Sequence, residues 1–278
     1  MTEFRYFLAV ILSFLACFVS SCGTDPVEQH LLDAQTEANA SVSHRISELK
    51  AYIDSRKRGA GPFAKDIVGW YGKWRAVKKW LPFTDSKGHE RYVISKFNQH
   101  IFSNRVLIEQ INKTTEACLK DLDEIENDLA VSLEEEILGR SLAPDEIPVA
   151  TTKFKETIRK LAYESQIDAA KGIGKGIAAE VVTYVATQVL IELGVSAGIL
   201  SAGAANSWWS LGGSLVVGGL IVWIWDWIDP PEAEIERKLV VELDELSAKV
   251  TNVMFREMNN IVTQRSEFWS EAAINVDR

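Results

Sequence analysis

Apolar residues recur at three- and four-residue steps along most of the chain, which is the spacing of one face of an α-helix. The first such stretch starts at Asp25-Pro26, an N-cap residue followed by a residue suited to the first helical turn. It is predicted to end at Gly59-Ala60-Gly61-Pro62. Its apolar positions are Leu31, Ala34, Ala38, Val42, Ile46, Leu49 and Ile53. We find no strand-like alternation over useful lengths, so the predicted fold class is all-α.

Two longer amphipathic helices are predicted at Glu90–Leu138 and Glu232–Ser270, and both have the apolar spacing of a coiled coil. The stripe of the first helix is Ile94, Phe97, Ile101, Asn104, Ile108, Ile111, Thr115, Cys118, Leu122, Ile125, Leu129 and Leu133. Within it, Asn104 could fix the register as a buried amide. The stripe of the second is Ile235, Leu239, Leu243, Leu246, Val250, Val253 and Ile261. A shorter helix is predicted to start near Thr151-Thr152.

The stretch from 172 to 228 is far more apolar than the rest. Leu193 to Trp225 is a run of 33 residues without a charge, and Asn206-Ser207 divides the stretch into two arms, Val181–Ala205 and Trp208–Ile228. Each arm is near the ~20 residues that a membrane-spanning helix needs. Small residues, including Gly194, Gly198 and Gly218, allow helices to approach closely. Tryptophans stand at both ends of the second arm, as at membrane interfaces: Trp208, Trp209, Trp223, Trp225 and Trp227. We predict an elongated helical bundle with a central glycine-rich hydrophobic helical hairpin.

The sequence leaves open where this hairpin lies. Glu192 in the first arm costs ~3 kcal/mol on membrane insertion scales, and about ten aliphatic residues at ~0.4 kcal/mol each only balance it. The hairpin could therefore be the dry centre of the bundle, insert under some conditions, or be inserted permanently.

A basic helix with a tryptophan-rich face is predicted at Phe63–Phe83. Trp70 and Trp74 fall on its apolar stripe, and its basic residues include Lys73, Lys78 and Lys79. Such a helix is typical of membrane interfaces. The alternative is that the stripe belongs to the core and the lysines form its solvated face.

The N-terminal residues have the pattern of a secretory leader. Tyr6–Phe18 is a 13-residue apolar core, long enough for a signal peptide and too short to span a bilayer. The following Val19-Ser20-Ser21-Cys22 resembles the lipobox of bacterial lipoproteins. The resemblance implies that residues 1–21 are removed and that Cys22 is lipidated as the first residue of the mature chain. The alternatives are an uncleaved anchor or ordinary secretion. The helical pattern predicts that residues 22–278 form one helical domain.

The same resemblance predicts a location in the bacterial cell envelope. Gly23 follows the lipobox where Asp would resemble an inner-membrane retention signal. The expected place is therefore the outer membrane, facing the periplasm, if the cell has two membranes. The expected partners are membrane lipid through acylated Cys22 and a second copy or another helical protein.

The net charge argues against one class of partner, and the cysteine count leaves a single thiol in the mature chain. The net charge is −9, and loss of Glu3 and Arg5 with the leader leaves it unchanged. Nucleic acid is not an expected partner, because binding it would need a basic surplus. Cys17 would leave with the leader, so Cys118 remains as a lone thiol, expected as a small buried hydrophobe.

We find no pattern of catalytic, cofactor-binding or metal-ligating residues in the sequence. The acidic run Asp121–Glu136 lacks a Glu-x-x-His partner and is predicted to be a solvated helix face. The glycine motifs at 172–176 and 194–198 lack the residues that phosphate loops, dinucleotide sites and serine hydrolases require. We therefore expect no enzyme, no cofactor and no metal.

Two functions fit these features. The first is a lipid-anchored, membrane-associated protein acting as a scaffold or interaction surface. The second is a membrane-active protein whose 181–228 hairpin inserts into a bilayer, in an arrangement similar to helical pore-forming proteins. We recognise no family in residues 23–278.

Overall fold

The computed structural model describes residues 25–80, 86–165, 178–193 and 231–276. These residues form seven α-helices and one 3-10 turn, with no β-strand among them, which confirms the all-α fold class. The helices are α1 (Pro26–Ser55), α2 (Ala60–Trp80), α3 (Ser86–His100), α4 (Asn104–Leu138), α5 (Ile147–Ser165), α6 (Ala178–Glu192) and α7 (Glu232–Val276), and the 3-10 turn is Arg56–Gly59.

Helix α1 begins where the sequence predicts. The Asp25 side chain accepts a hydrogen bond from the Val27 N–H at 3.1 Å and so caps the helix. Six of the seven predicted apolar positions are buried, and Leu31 packs against the core from its edge. The helix ends at Ser55, and a single 3-10 turn leads into α2.

The predicted helix from Glu90 to Leu138 is wrong as one element. It is divided into α3 and α4 by Ile101, Phe102 and Ser103. Ile101 and Phe102 lie between the two helices and are both buried, at 3% and 4% exposure. Ser103 has extended backbone (φ −82°, ψ 156°) and its side chain accepts from the Val106 N–H at 3.4 Å, so α4 starts with its own N-cap. Asn104 is therefore a half-buried residue of the first turn of α4 and not part of a buried seam.

The turn between α4 and α5 ends one helix and starts the next. Gly139 adopts the left-handed conformation (φ 63°), and its N–H bonds to the Glu136 carbonyl at 3.3 Å. Helix α5 starts at Ile147, a turn earlier than predicted, because Pro148 is tolerated in a first turn. Phe154 and Ile158 are buried on its inner face.

Helix α6 contains the first part of the predicted first arm. Its buried residues are Val181, Val182, Val185, Ala186, Val189 and Leu190, and it packs on α4 and α7. Thr183 and Tyr184 on its other face are exposed, and so is Glu192 at its last position. The Tyr184 hydroxyl donates to Glu257 Oε2 on α7 at 3.0 Å. This part of the arm is an amphipathic helix of the bundle, and residues 194–230 lie outside the described residues.

Helix α7 is the central element of the described bundle. It has 45 residues and contacts α1, α2, α4, α5 and α6. All seven residues of its predicted stripe are buried, and the helix continues to Val276, beyond the predicted end at Ser270. The buried residues of all seven helices join in one hydrophobic core.

Ion pairs between helices give the chain directions. His30 lies 3.9 Å from Glu136 and Arg45 lies 2.8 Å from Asp121, so α1 and α4 are antiparallel. Lys57, just after α1, pairs with Asp244 of α7. Arg265, farther along α7, pairs with Glu126, which is close to Asp121, the partner of Arg45 in the middle of α1. Helix α7 therefore also runs opposite to α1, and its start lies beside Gly61, which faces Glu236. We call the end with Asp25 and the α4–α5 turn the proximal end; the C-terminal part of α7 runs toward it. The end with Gly59 and the start of α7 is the distal end.

Candidate functional site

Helices α2 and α3 are joined by a polar cluster centred on Asp66. Its Oδ2 lies 2.8 Å from Lys96 Nζ and 2.9 Å from His100 Nε2. Lys96 and His100 are four residues apart on α3 and therefore share one face. The hydrogen bond from Lys96, and then that from His100, lowers the pKa of Asp66 below its usual range. The ionised carboxylate consequently ties two helices together.

An aromatic pair extends this cluster. The rings of Trp70 and Tyr92 are stacked, with centroids 4.8 Å apart and an interplanar angle of 16°. The Tyr92 hydroxyl donates to the Asp66 carbonyl at 3.3 Å, and burial raises the pKa of Tyr92. Trp70 is half-buried, so one face of its indole is used inside the protein. Phe63 and Ile67 of the same stripe are fully buried.

A buried ion pair lies between α4 and α7. Glu126 is 1% exposed and Arg265 is 3% exposed. Glu126 Oε1 accepts from Arg265 Nη1 at 3.2 Å and from the Trp269 indole N–H at 3.0 Å. Removing one partner of such a pair would leave a buried charge uncompensated. The cluster therefore fixes how α4 and α7 face each other.

The prediction that the acidic run 121–136 is a solvated helix face is wrong at Glu126, whose carboxylate lies in the core. The exposed members of the run, such as Asp123 and Glu124, do form a solvated face. A signal for the pair was present: Arg265 stands at helical spacing between buried Ile261 and buried Trp269. A cation in a buried stripe requires an anion on a facing helix.

A second ion pair joins α1 to α4 at the surface. Asp121 accepts from Arg45 Nε at 2.8 Å and Nη2 at 3.0 Å, and also from Ser41. The hydrogen bonds from Arg45 lower the pKa of Asp121. Beside this pair is an open groove of about 200 Å³ that includes Tyr52 and Lys113. It is smaller than the ~300 Å³ at which small-molecule pockets usually begin.

Cys118 is not suited to nucleophilic chemistry. It is 0% exposed, which confirms the expected small buried hydrophobe. Burial is the main cause that raises the pKa of its thiol to about 12, with Asp121 adding to it. The thiol is therefore protonated at neutral pH.

The proximal end exposes apolar side chains on both sides of the α4–α5 turn. Ile137, Leu138, Ile147 and Val149 are 41%, 46%, 38% and 67% exposed. The turn between them is held by Glu146, which accepts from Arg140 at 2.7 and 2.8 Å and from the Ala143 N–H at 2.8 Å. The exposed residues are therefore displayed by a braced turn.

Most residues singled out from the sequence fall outside the described residues. These are Cys22, Gly194, Gly198, Gly218, Trp208, Trp209, Trp223, Trp225 and Trp227. Four further residues belong to helix α2, and their side chains lie outside the described part of the chain: Lys73, Trp74, Lys78 and Lys79.

Within the described ranges, none of the helices is both long and apolar enough to cross a bilayer. Across the same ranges, the His, Cys, Asp and Glu side chains form no cluster of three that could hold a metal ion.

No protein-family model, curated protein or solved structure matches the chain.

Proposed function

We propose that this protein is a lipid-anchored helical protein of the bacterial cell envelope that acts, without catalysis, as a scaffold or interaction surface. The observation that carries the proposal is the lipobox-like Val19-Ser20-Ser21-Cys22 directly before a capped helix. Asp25, the N-cap of α1, lies three positions after Cys22. Three residues span at most about 11 Å, so an acyl group on Cys22 would keep α1 at the membrane surface.

The polar clusters of the described residues support a structural role. Asp66, Asp121 and Glu126 each bind a cation from another helix, so their charges are used to fix one helix against the next. Each cluster stabilises a packed bundle. A rigid bundle on a short tether is suited to presenting a surface to a partner, either a second copy or another helical protein.

The proposal includes the finer architecture expected from the sequence. Residues 172–228 form a glycine-rich hairpin at the centre of an elongated bundle, and the long helices around it shield it from water. The packing of α6 on α4 and α7 supports burial of the first part of the hairpin.

The test is to follow lipidation and location together. The full chain and a Cys22→Ala variant would be produced with the leader in a bacterium fed an alkyne fatty acid. We expect the unchanged chain to incorporate the alkyne fatty acid, to begin at Cys22 after processing and to associate with the membrane. The Cys22→Ala variant should show none of these three properties. Lipid-free unchanged protein in the soluble fraction would contradict the proposal.

A second form separates anchoring by lipid from insertion of the hairpin. Residues 23–278, made without leader or Cys22, should be soluble if the hairpin is buried. Pelleting of this form through an alkaline carbonate wash would instead support the alternative function, insertion of the 181–228 hairpin. The 33-residue uncharged run is the observation that favours this alternative.

A further inference from the structure

We propose that the proximal end of the bundle is a membrane-seating surface, on which Ile137, Leu138, Ile147 and Val149 enter the headgroup region of the bilayer that holds Cys22. The inference rests on the proposed lipid anchor and adds to it an orientation: the helices stand on the membrane with the α4–α5 turn against it.

The first argument is the position of the anchor. Asp25 caps α1, and the tether from Cys22 to Asp25 spans at most about 11 Å. His30 lies 3.9 Å from Glu136, so the start of α1 is beside the end of α4. The lipid attachment point is therefore at the end of the bundle that carries the exposed apolar residues.

The second argument is the exposure of the residues themselves. Val149 is 67% exposed and Leu138 46%, on either side of one turn. Leu32 near the start of α1, 51% exposed, and Ile274 near the end of α7, 61% exposed, lie toward the same end. Large apolar side chains that gather at one end of a protein mark an interaction surface, and a bilayer is already present there once Cys22 is acylated.

The charges at this end indicate which lipids it suits. Four exposed carboxylates lie within one helical turn of the exposed apolar residues along the chain: those of Glu28, Asp33, Glu136 and Asp145. The cations there are fewer: Lys153 is exposed, and Arg140 is engaged by Glu146. An acidic surface is repelled by anionic headgroups, so apolar burial and not charge attraction must drive the contact. The partner that fits is a zwitterionic phospholipid surface.

A single introduced cysteine can report the depth of the turn. Acylation occupies the Cys22 thiol and Cys118 is buried with its pKa raised to about 12, so a new surface thiol reacts selectively. Val149→Cys and the control Ala248→Cys, an exposed site on α7 toward the distal end, would each carry an environment-sensitive nitrobenzoxadiazole dye. The labelled, lipidated full chains would be reconstituted into phosphatidylcholine–phosphatidylethanolamine vesicles.

We expect the dye at 149 to become several-fold brighter, to shift to shorter wavelength and to be quenched by lipids with a nitroxide on the acyl chain. The dye at 248 should stay in water. Replacing part of the lipid with phosphatidylglycerol should leave the signal at 149 equal or weaker. A stronger signal in anionic vesicles would overturn the assignment of the lipid class.

The possible failures are distinguishable. If mass spectrometry finds no acyl group on Cys22 and the protein does not sediment with vesicles, the proposed anchor fails. If the protein is acylated and sediments while the dye at 149 stays in water, the anchor stands and the seating surface is wrong. A dye at 149 that is already shielded without vesicles would mean that a second copy or the chain itself covers the turn, which also overturns the proposal.

Discussion

Gly59, in the 3-10 turn before α2, and Gly69, within α2, have opposite surroundings. A Cβ added at Gly59 would lie 2.0 Å from the His100 carbonyl oxygen and 2.8 Å from its carbon, both backbone atoms. A Cβ at Gly69 would have no other atom within 4 Å. Gly59 is therefore a point of close approach between the turn before α2 and the end of α3, whereas Gly69 is only a weak helix former.

The corresponding substitutions should change stability in opposite directions. Gly59→Ala should lower the free energy of unfolding by about 2–3 kcal/mol, because the backbone of α3 must move. Gly69→Ala should raise it by up to about 1 kcal/mol through helix propensity. Urea denaturation followed by circular dichroism measures both. Equal effects of the two variants would contradict the close packing at Gly59.

The buried pair of Glu126 and Arg265 gives the second prediction. Glu126→Gln keeps an oxygen for the Trp269 indole but removes the negative charge, so it should cost about 3 kcal/mol of unfolding free energy. Glu124→Gln on the same helix is the matched control, since Glu124 is 60% exposed and pairs with Lys120 only at the surface. It should cost less than about 0.5 kcal/mol. A similar loss in both variants, measured by denaturant unfolding, would mean that the pair does not stabilise the contact between α4 and α7.

At the scale of elements, the α4–α5 turn should respond to acid. The hydrogen bond from Arg140, and then that from the Ala143 N–H, lowers the pKa of Glu146 from 4.5 to about 2. Because the folded pKa is lowered, the bracing is fully present above about pH 4.5 and is lost as the pH falls toward about 2. Amide exchange at Ala143, corrected for the intrinsic rate, should therefore speed up over this range.

Two variants check the assignment of this acid response to Glu146. Glu146→Gln should show fast exchange at Ala143 at neutral pH already, because the charged acceptor is gone. Asp145→Asn, at an exposed neighbour in the same turn, should behave like the unchanged chain. Slow exchange at Ala143 in Glu146→Gln would show that other contacts hold the turn.

Helices with one uninterrupted apolar stripe could be predicted from the sequence, and those with a local change of direction could not. Helix α7 repeats its apolar positions without a break, and α1 has both a cap signal and a stripe, so the start of α1 and the buried stripes of both helices were predicted correctly. Their ends were not, because α1 stops at Ser55, before Gly59, and α7 continues to Val276. Ile101 continues the stripe of α3 in the sequence, but the adjacent Phe102 is buried too, against Phe97 with ring centroids 5.7 Å apart. Whether the helix continues past Ile101 or breaks there depends on tertiary contacts, and these cannot be inferred from the spacing of apolar residues along one helix.

The same limit holds for the site residues. Sequence spacing placed Trp70 on an apolar stripe, but its stacking on Tyr92 depends on a second helix. The Glu126–Arg265 pair joins positions 139 residues apart, and only the packing of α4 on α7 brings them together. The exposed apolar residues around the α4–α5 turn are visible in the sequence as ordinary hydrophobic positions. They are exposed because the hydrophobic core ends before it reaches this turn.

At the scale of the whole molecule, the directions of the helices separate two membrane-related features. Cys22 precedes the proximal end, whereas α7 begins at the distal end, separated by six residues from the end of the uncharged run. The 30 residues of α1 between these ends span about 45 Å. In a protein that stands on its lipid anchor, the chain leaves the 181–228 segment at a point well away from the anchoring bilayer.

This separation leads to a prediction about membrane activity. Lipidated protein reconstituted into dye-filled vesicles should not release the dye, because in the proposed architecture the hairpin is buried in the bundle and its end is held away from the anchoring bilayer. Replacing Trp208, Trp209, Trp223, Trp225 and Trp227 with alanine should leave the dye retained. Separate dye-filled vesicles added to the same sample test for action on a facing membrane, and leakage from them alone would support the alternative function with the upright orientation kept. Tryptophan-dependent leakage from the anchoring vesicles themselves would contradict both the buried hairpin and a bundle standing on its proximal end.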